Sequence, residues 1–205
     1  MSERQLFLDR GFGETRGVVT LKGRPERLIL VRDGADPAQA LGARVAGRIT
    51  RLERAMASAF VDLGGESQAV MDLKPDMPRL NEGQAVIAEI RSEARNGKGP
   101  SLRFIEPGEG APRLLEPGPS LSEQLRSFDR TAPIVEGEAA RAAADLAEAE
   151  ALETLFPLPG GGQIAVEPTR ALVAVDVDLG ASAAQEAKRA PRMANLPALA
   201  VAARV

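Results

Sequence analysis

Apolar and polar residues alternate in short stretches along the first part of the chain. Alternation over about four to eight residues is typical of strands with one buried face. It predicts strands at residues 5–8, 15–21 and 27–31, with a turn at residues 22–25 between the last two. We interpret residues 1–35 as short antiparallel strands at the edge of a sheet.

The same alternation continues through residues 36–106, where it predicts five more short strands separated by turns. These strands span residues 44–51, 58–63, 68–72, 84–91 and 101–105. Five short strands in this arrangement match the OB architecture, a five-stranded barrel whose surface binds oligonucleotides.

One aromatic side chain departs from the pattern of the second barrel strand. The residues that alternate toward the predicted core are Ala57, Ala59, Val61 and Leu63. Phe60 points the other way, with Ser58 and Asp62, because strand side chains alternate. An aromatic ring on the polar face of a barrel strand is suited to stacking on a nucleic-acid base. The alternative is a ring packed beneath a loop.

Basic side chains recur along the same strands and loops. They are Arg44, Arg48, Arg51, Arg54, Arg91, Arg95, Lys98 and Arg103. Such a set either forms a surface that faces RNA or is the ordinary solvated side of the strands. The residue types alone leave both interpretations open.

The region after the barrel begins with a Pro- and Gly-rich segment and continues with helical patterns. Residues 105–119 are rich in Pro and Gly and are interpreted as a linker. Ser120 and Glu123 form a capping-box pattern that predicts a helix ending at about Phe128.

A second helix, rich in Ala and Glu, is predicted within residues 136–155. Its apolar stripe comprises Leu146, Ala149, Leu152, Leu155 and Phe156. We expect this stripe to pack on a sheet, and a partner-binding face is the alternative.

Two aspartates, Asp176 and Asp178, lie at the end of the last apolar segment. Residues 160–180 predict a glycine-rich entry, a strand, a turn and a second strand that ends in Asp176 and Asp178. Alternation places both carboxylates on one face, about 6–7 Å apart along the strand. Such a pair can bind Mg²⁺, which activates water and neutralises phosphate charge. The alternative is a solvated strand end before Gly180.

The residue types that the chain lacks exclude several kinds of catalytic and metal-binding site. The chain has no Cys, His, Trp or Tyr, which excludes thiol and imidazole nucleophiles, a histidine base, and thiolate or imidazole zinc sites. The net charge is −3, and residues 105–160 are the acidic part, so contact with nucleic acid would be a local patch. The absence of disulfides fits a reducing compartment, and no apolar run approaches a membrane span. We therefore expect a cytoplasmic protein that makes no membrane contact.

Two groups of motifs resemble the RNase E/G family of endoribonucleases. The barrel region contributes GRITRL at 47–52, AFVDLG at 59–64, EGQ at 82–84 and GKGPSL at 97–102. The second group is the run LPGGGQIAVEPTRALVAVDVD at 158–178. The resemblance implies an α+β protein. A five-stranded OB-type barrel at residues 36–106 would be inserted in a reduced RNase H-like scaffold and followed by an incomplete DNase I-like α/β subdomain.

The resemblance also implies the roles of the remaining segments. Residues 1–35 would supply the N-terminal strands of the RNase H-like scaffold, and residues 107–156 the linker and helices. Residues 157–205 would begin the DNase I-like catalytic subdomain and stop inside the helix that follows its second strand. A truncated or degenerate family member is therefore expected.

Site residues follow from the matched positions. Phe60 matches the family's stacking phenylalanine, and Lys98 matches a basic residue of its RNA-binding barrel. We add Arg48 and Arg103 as further candidates for RNA binding. Asp176 matches the family's first magnesium-binding aspartate, and Asp178 stands where the family has Asn. Both aspartates are expected to hold Mg²⁺ and to act in catalysis.

The implied function is that of an RNA-binding endoribonuclease, which hydrolyses single-stranded RNA with Mg²⁺ in RNA processing or decay. The expected partners are single-stranded RNA and a second copy of the chain.

The sequence departs from the family pattern in three ways that bear on RNA binding and on the metal site. Val70 replaces an aromatic residue, Arg170 replaces Glu, and the second metal-binding aspartate does not occur in the 205 residues. The alternative is a non-catalytic RNA-binding protein with an incomplete metal site. A third interpretation is a scaffold that binds other proteins through the acidic helix within residues 136–155.

Overall fold

The computed structural model describes residues 3–65, 68–95, 97–158, 162–169 and 172–178. These residues form thirteen strands and two α-helices. The strands are β1 (Arg4–Arg10), β2 (Glu14–Leu21), β3 (Arg24–Arg32), β4 (Arg44–Glu53), β5 (Ser58–Asp62), β6 (Ala69–Asp72), β7 (Ala85–Ser92), β8 (Ser101–Pro107), β9 (Arg113–Glu116), β10 (Ile134–Val135), β11 (Leu155–Pro157), β12 (Gln163–Pro168) and β13 (Val173–Asp178). The helices are α1 (Leu121–Phe128) and α2 (Glu138–Leu152).

The chain divides into two compact units. The first comprises Met1–Asp9, Arg16–Ile29 and Asp129–Val205, and the second comprises Arg10–Thr15 and Leu30–Phe128. The glycine-rich entry at 159–161, Arg170, and all positions after Asp178 lie outside the described residues, and with them most of the expected catalytic subdomain.

A closed five-stranded barrel forms the body of the second unit. Its strands follow one another around the barrel in the order β4-β5-β6-β8-β7, and β7 pairs again with β4. All neighbours are antiparallel except β6 and β8, which are parallel. The five strands predicted from alternation are confirmed, and each predicted end lies within two residues of the observed one. The barrel is OB-like, as expected from its strands and turns.

The barrel core is built from the apolar positions of that alternation. Buried side chains come from every barrel strand, and the fully buried ones include Val45, Ile49, Val61, Met71, Val86 and Ile90. Removing one such side chain from water stabilises the fold by about 1.5–3 kcal/mol. Ala57 is the exception to the predicted inner face, because it ends a short 3₁₀ turn in a left-handed conformation and is exposed.

The Pro- and Gly-rich segment after β8 is not the plain linker that its composition predicted. Strand β9 lies within it and pairs antiparallel with β4, with Leu114 opposite Val45. The segment also approaches the barrel closely, since a Cβ on Gly118 would lie 2.2 Å from the carbonyl oxygen of Leu41. The interpretation as a linker was therefore wrong for residues 113–116.

Helix α1 begins as its capping box predicted. The backbone N–H of Ser120 donates to Glu123 Oε2 at 2.7 Å, and the backbone N–H of Glu123 donates to Ser120 Oγ at 3.3 Å. These reciprocal bonds satisfy donors that the first turn leaves unpaired. The hydrogen bonds from Ser120 also lower the pKa of the Glu123 carboxyl.

Helix α2 is confirmed, but its buried face is not the predicted stripe of large apolar residues. Leu146 and Leu152 are 56% and 75% exposed. The buried positions are Ala140, Ala144 and Ala147, and the last two pack with Val18 of β2. Small side chains allow the helix axis to approach the sheet closely, so alanine rather than leucine occupies the contact.

The first unit holds two sheets. One has the order β10-β1-β2-β3, with β10 parallel to β1, and the other has the order β11-β12-β13. The three N-terminal strands are confirmed. The turn between β2 and β3 is shorter than predicted, because Lys22 and Gly23 both adopt positive φ angles and close a two-residue hairpin.

A partly buried ion network ties β1 and β2 to α2. Arg16 of β2 donates to Asp9 of β1 at 2.6 and 3.0 Å, to Asp145 at 2.8 Å and to Glu148 at 3.0 Å. Arg16 and Asp9 expose only 12% and 5% of their side chains. The hydrogen bond to Asp9 is the largest effect that raises the pKa of the Arg16 guanidinium.

We predict that Arg16→Met destabilises the protein by about 3–5 kcal/mol, because it leaves the buried carboxylate of Asp9 without its main partner. Arg141 Nε lies 3.9 Å from Asp9 Oδ1, too far to replace the hydrogen bonds of Arg16. The free energy of unfolding, measured in urea, checks this. The control is Arg4→Met, which breaks a more exposed pair with Glu26 and should cost less than about 1 kcal/mol. Equal losses in the two variants would contradict the prediction.

Candidate nucleic-acid interface

A β-bulge in β4 sets the geometry of the outer barrel surface. Ile49 pairs with Val61 of β5, whereas Arg51 pairs with Phe60, so Thr50 is an extra residue without a partner in the register. Without this insertion, alternation would turn Arg51 toward the core. The bulge therefore places Arg51 on the outer surface, beside Phe60.

Arg51 and Phe60 stack on each other. The guanidinium carbon of Arg51 lies 4.2 Å from the centroid of the Phe60 ring, and the ring is half-buried. One ring face is thus covered by a planar cation, a cation–π arrangement. Both groups are flat, so together they form a stacking surface with a positive charge. Phe60 lies on the outer side of β5, where alternation placed it.

The neighbouring strands extend this surface with smaller side chains. Val70 of β6 lies directly opposite Phe60, and on its other side it pairs with Ser101 of β8. Directly opposed residues have Cβ atoms about 4.5–5.5 Å apart. Val70 offers no ring of its own, so the stacking surface is limited to Arg51 and Phe60.

Lys98 lies exposed in the β7–β8 connection. The next residues fix this loop against the start of β6. A Cβ on Gly99 would lie 1.8 Å from the carbonyl oxygen of Gln68, and the N–H of Val70 donates to the carbonyl of Pro100 at 2.9 Å. The loop that carries Lys98 is therefore held at the strand that neighbours Phe60.

The other two predicted RNA-binding residues already have partners in the protein. Arg48 donates from Nη1 to the carbonyl of Gly83 at 2.6 Å and from Nη2 to the carbonyl of Gly110 at 3.1 Å. Arg103 on β8 donates to the carboxylate of Glu89 on β7. Arg48 thus joins two loops, whereas Arg103 lies beside an open cleft.

That cleft has a volume of about 760 Å³ and lies between β8 and the segment that follows β6. It begins at Ser101, the residue opposite Val70, and includes Arg103 and Arg91 of β7. Lys74 and other residues of the segment after β6 form its opposite wall. The cleft therefore adjoins the stacking surface through β6 and β8.

Asp176 and Asp178 lie in the first unit, on β13. They pair with Ala165 and Gln163 of β12, and both are exposed on the face opposite the buried Ile164. In the part of the chain that the structure describes, no group of three or more His, Cys, Asp or Glu side chains is arranged to hold a metal ion. Two carboxylates on one face nevertheless suit Mg²⁺, which takes one or two protein carboxylates together with water and phosphate oxygens.

Comparison with known proteins identifies no family. No family model matches the chain, and no curated protein is similar to it. Within the described ranges, no helix is both long enough and apolar enough to cross a membrane.

Two parts of the interface were not singled out from the sequence. The pairing of Arg51 with Phe60 depends on the bulge at Thr50, and residue types do not reveal a bulge. Lys74 was missed because it follows β6 in an irregular segment. Its approach to β8 depends on the parallel β6–β8 pairing, which joins strands distant in sequence.

We predict that Arg48→Ala acts on stability rather than on RNA contact. It should lower the free energy of unfolding by about 1–3 kcal/mol, because the carbonyls of Gly83 and Gly110 lose a charged donor. The control is Arg54→Ala, an exposed arginine of the β4–β5 connection, which should change stability by less than about 0.5 kcal/mol. Unchanged stability in Arg48→Ala, with a loss of RNA affinity, would contradict this assignment.

Proposed function

We propose that this chain binds single-stranded RNA across the outer surface of β5 and β6. The observation that carries the proposal is the Arg51–Phe60 stack on the second strand of an OB-like barrel. OB barrels bind oligonucleotides on their second and third strands and on the loops beside them. Phe60 lies on the second strand, Val70 on the third, and Lys98 in a flanking loop.

The chemistry of the stack favours single strands over duplexes. A base can stack on a planar group only when it is unpaired and turned outward, as in single-stranded RNA. Arg51 presents its guanidinium plane to a base and its charge to a nearby phosphate. Lys98 adds a second cation at the same side of the barrel, where it can bind the RNA backbone.

The wider architecture proposed here is that of an RNase E/G-type protein. A sheet of order β10-β1-β2-β3 covered by α2 supports an RNase H-like scaffold, and the barrel is inserted in sequence between its parts. The antiparallel strands β12 and β13 support the start of a DNase I-like subdomain.

We predict that Phe60→Ala weakens binding of a fluorescent A/U-rich single-stranded RNA by about 1–3 kcal/mol, the value of one stacked base. Fluorescence anisotropy measures the dissociation constant. The matched control is Phe12→Ala, which removes a fully exposed phenylalanine from the β1–β2 hairpin. Equal affinity of wild type and Phe60→Ala, or an equal loss in both variants, would refute binding at the stack.

Magnesium-dependent hydrolysis of RNA is the second candidate function. It is favoured by the common exposed face of Asp176 and Asp178 on β13. These two carboxylates would hold Mg²⁺, and the bound ion would activate water and neutralise phosphate charge. Glu167 lies on the same face, opposite Ala174, where its carboxylate can accept a hydrogen bond from a water molecule or an RNA hydroxyl.

We predict that the chain cleaves single-stranded RNA only with Mg²⁺ and that Asp176→Asn abolishes cleavage, because the metal loses a charged ligand. Gel analysis of end-labelled RNA measures the rate, and Glu153→Gln, which removes an exposed carboxylate beside α2, is the control. RNA that is bound but not cut by the wild type would contradict the hydrolase and leave a non-catalytic RNA-binding protein.

A further inference from the structure

The cleft beside the stacking surface has a lining of mixed character. Arg91 and Lys74 are exposed, and neither forms an ion pair with another described residue. Asp72 and Asp76 also line the cleft. The charge of Arg103 is compensated by Glu89, so the lining carries little net charge.

The low net charge of the lining argues against a bare polyanion as the ligand and fits a nucleotide. A site for a bare polyanion would be dominated by cations, because its binding depends on the summed field. A nucleotide offers different groups: a phosphate for cations, hydroxyl and amino donors for carboxylates, and an apolar base. Phe104, which packs partly on the barrel core, and the half-buried Ile105 both line the cleft and give it an apolar wall for a base.

The position of the cleft connects it to the stack. Phe60, Val70 and Ser101 form a continuous row across β5, β6 and β8, and Ser101 begins the cleft. Adjacent strands are about 4.8 Å apart, so the row spans about 10 Å. An RNA strand that crosses the barrel strands from Phe60 therefore reaches the cleft within a few nucleotides.

We propose that this cleft is a second nucleotide subsite for the same RNA strand, in which Arg91 and Lys74 bind its phosphates and Asp72 and Asp76 accept hydrogen bonds from its hydroxyl or amino groups. The inference rests on the proposed RNA binding at the Arg51–Phe60 stack. It adds that the barrel recognises a longer single-stranded segment than the stack alone can contact.

The test compares a dinucleotide with an RNA of about twelve nucleotides, which is within the site size of OB folds. The double variant Lys74→Gln/Arg91→Gln should bind the longer RNA roughly ten-fold more weakly, and its slope of log affinity against log salt should fall by about 1.4, the value for two phosphates. Its affinity for the dinucleotide, which is too short to reach from the stack to the cations of the cleft, should not change. Phe60→Ala should weaken binding of both RNAs.

Two control variants distinguish binding in the cleft from an effect of the protein's net charge. Arg24→Gln/Arg126→Gln also removes two exposed cations, neither of which lines the cleft, and should leave both affinities unchanged. Lys74→Arg/Arg91→Lys keeps both charges and should retain at least half of the wild-type affinity. Thermal melts of every variant confirm that the fold is intact.

The outcomes distinguish this inference from the proposed function. Binding that depends on Phe60, with the same affinities and salt slope in Lys74→Gln/Arg91→Gln as in wild type, would overturn the subsite and leave the stack in place. Equal losses in both double glutamine variants would also overturn it, because the effect would then be one of net charge. Wild type that binds neither RNA would overturn both proposals.

Discussion

Strand β4 is the element on which the barrel depends, because it must pair with three other strands. Its first half lies between β7 and β9, and its second half pairs with β5. Between its two halves, β4 passes close to β5 at Gly47. A Cβ at this position would lie 2.6 Å from Val61 Cγ1 and 2.9 Å from Leu63 Cδ2. A side chain at position 47 would collide with Val61 and Leu63, so glycine lets β5 pack closely against β4.

The candidate interface is a consequence of the same strand. After Gly47, the bulge at Thr50 shifts β4 by one residue relative to β5, which increases the local twist and reverses the direction of the following side chains. Arg51 thereby leaves the inner face and covers Phe60. The irregularity that helps β4 follow the curved barrel thus also creates its stacking surface, and the two features cannot be altered independently.

The barrel strands could be predicted from the sequence because burial on one face imposes strict alternation, as in Ala59, Val61 and Met71. The failures have specific physical causes. Strand β9 is held by pairing with β4, which overrides its Pro- and Gly-rich surroundings. The contact face of α2 was misplaced because hydrophobicity favours Leu146, whereas close packing requires Ala144. The RNA-binding role of Arg48 stays a prediction, and the sequence could not show the two carbonyls to which Arg48 donates, since both belong to distant loops.

Net charge limits how the proposed RNA binding can work. A chain of net charge −3 gains no long-range attraction for a polyanion, so affinity must come from contacts within a few ångströms. Stacking is such a contact, because its strength does not depend on the total charge of the protein. The Arg51–Phe60 stack supplies planar contact and a cation at one point, so the proposed RNA binding does not require a basic protein. The acidic middle of the chain then opposes any binding away from that surface.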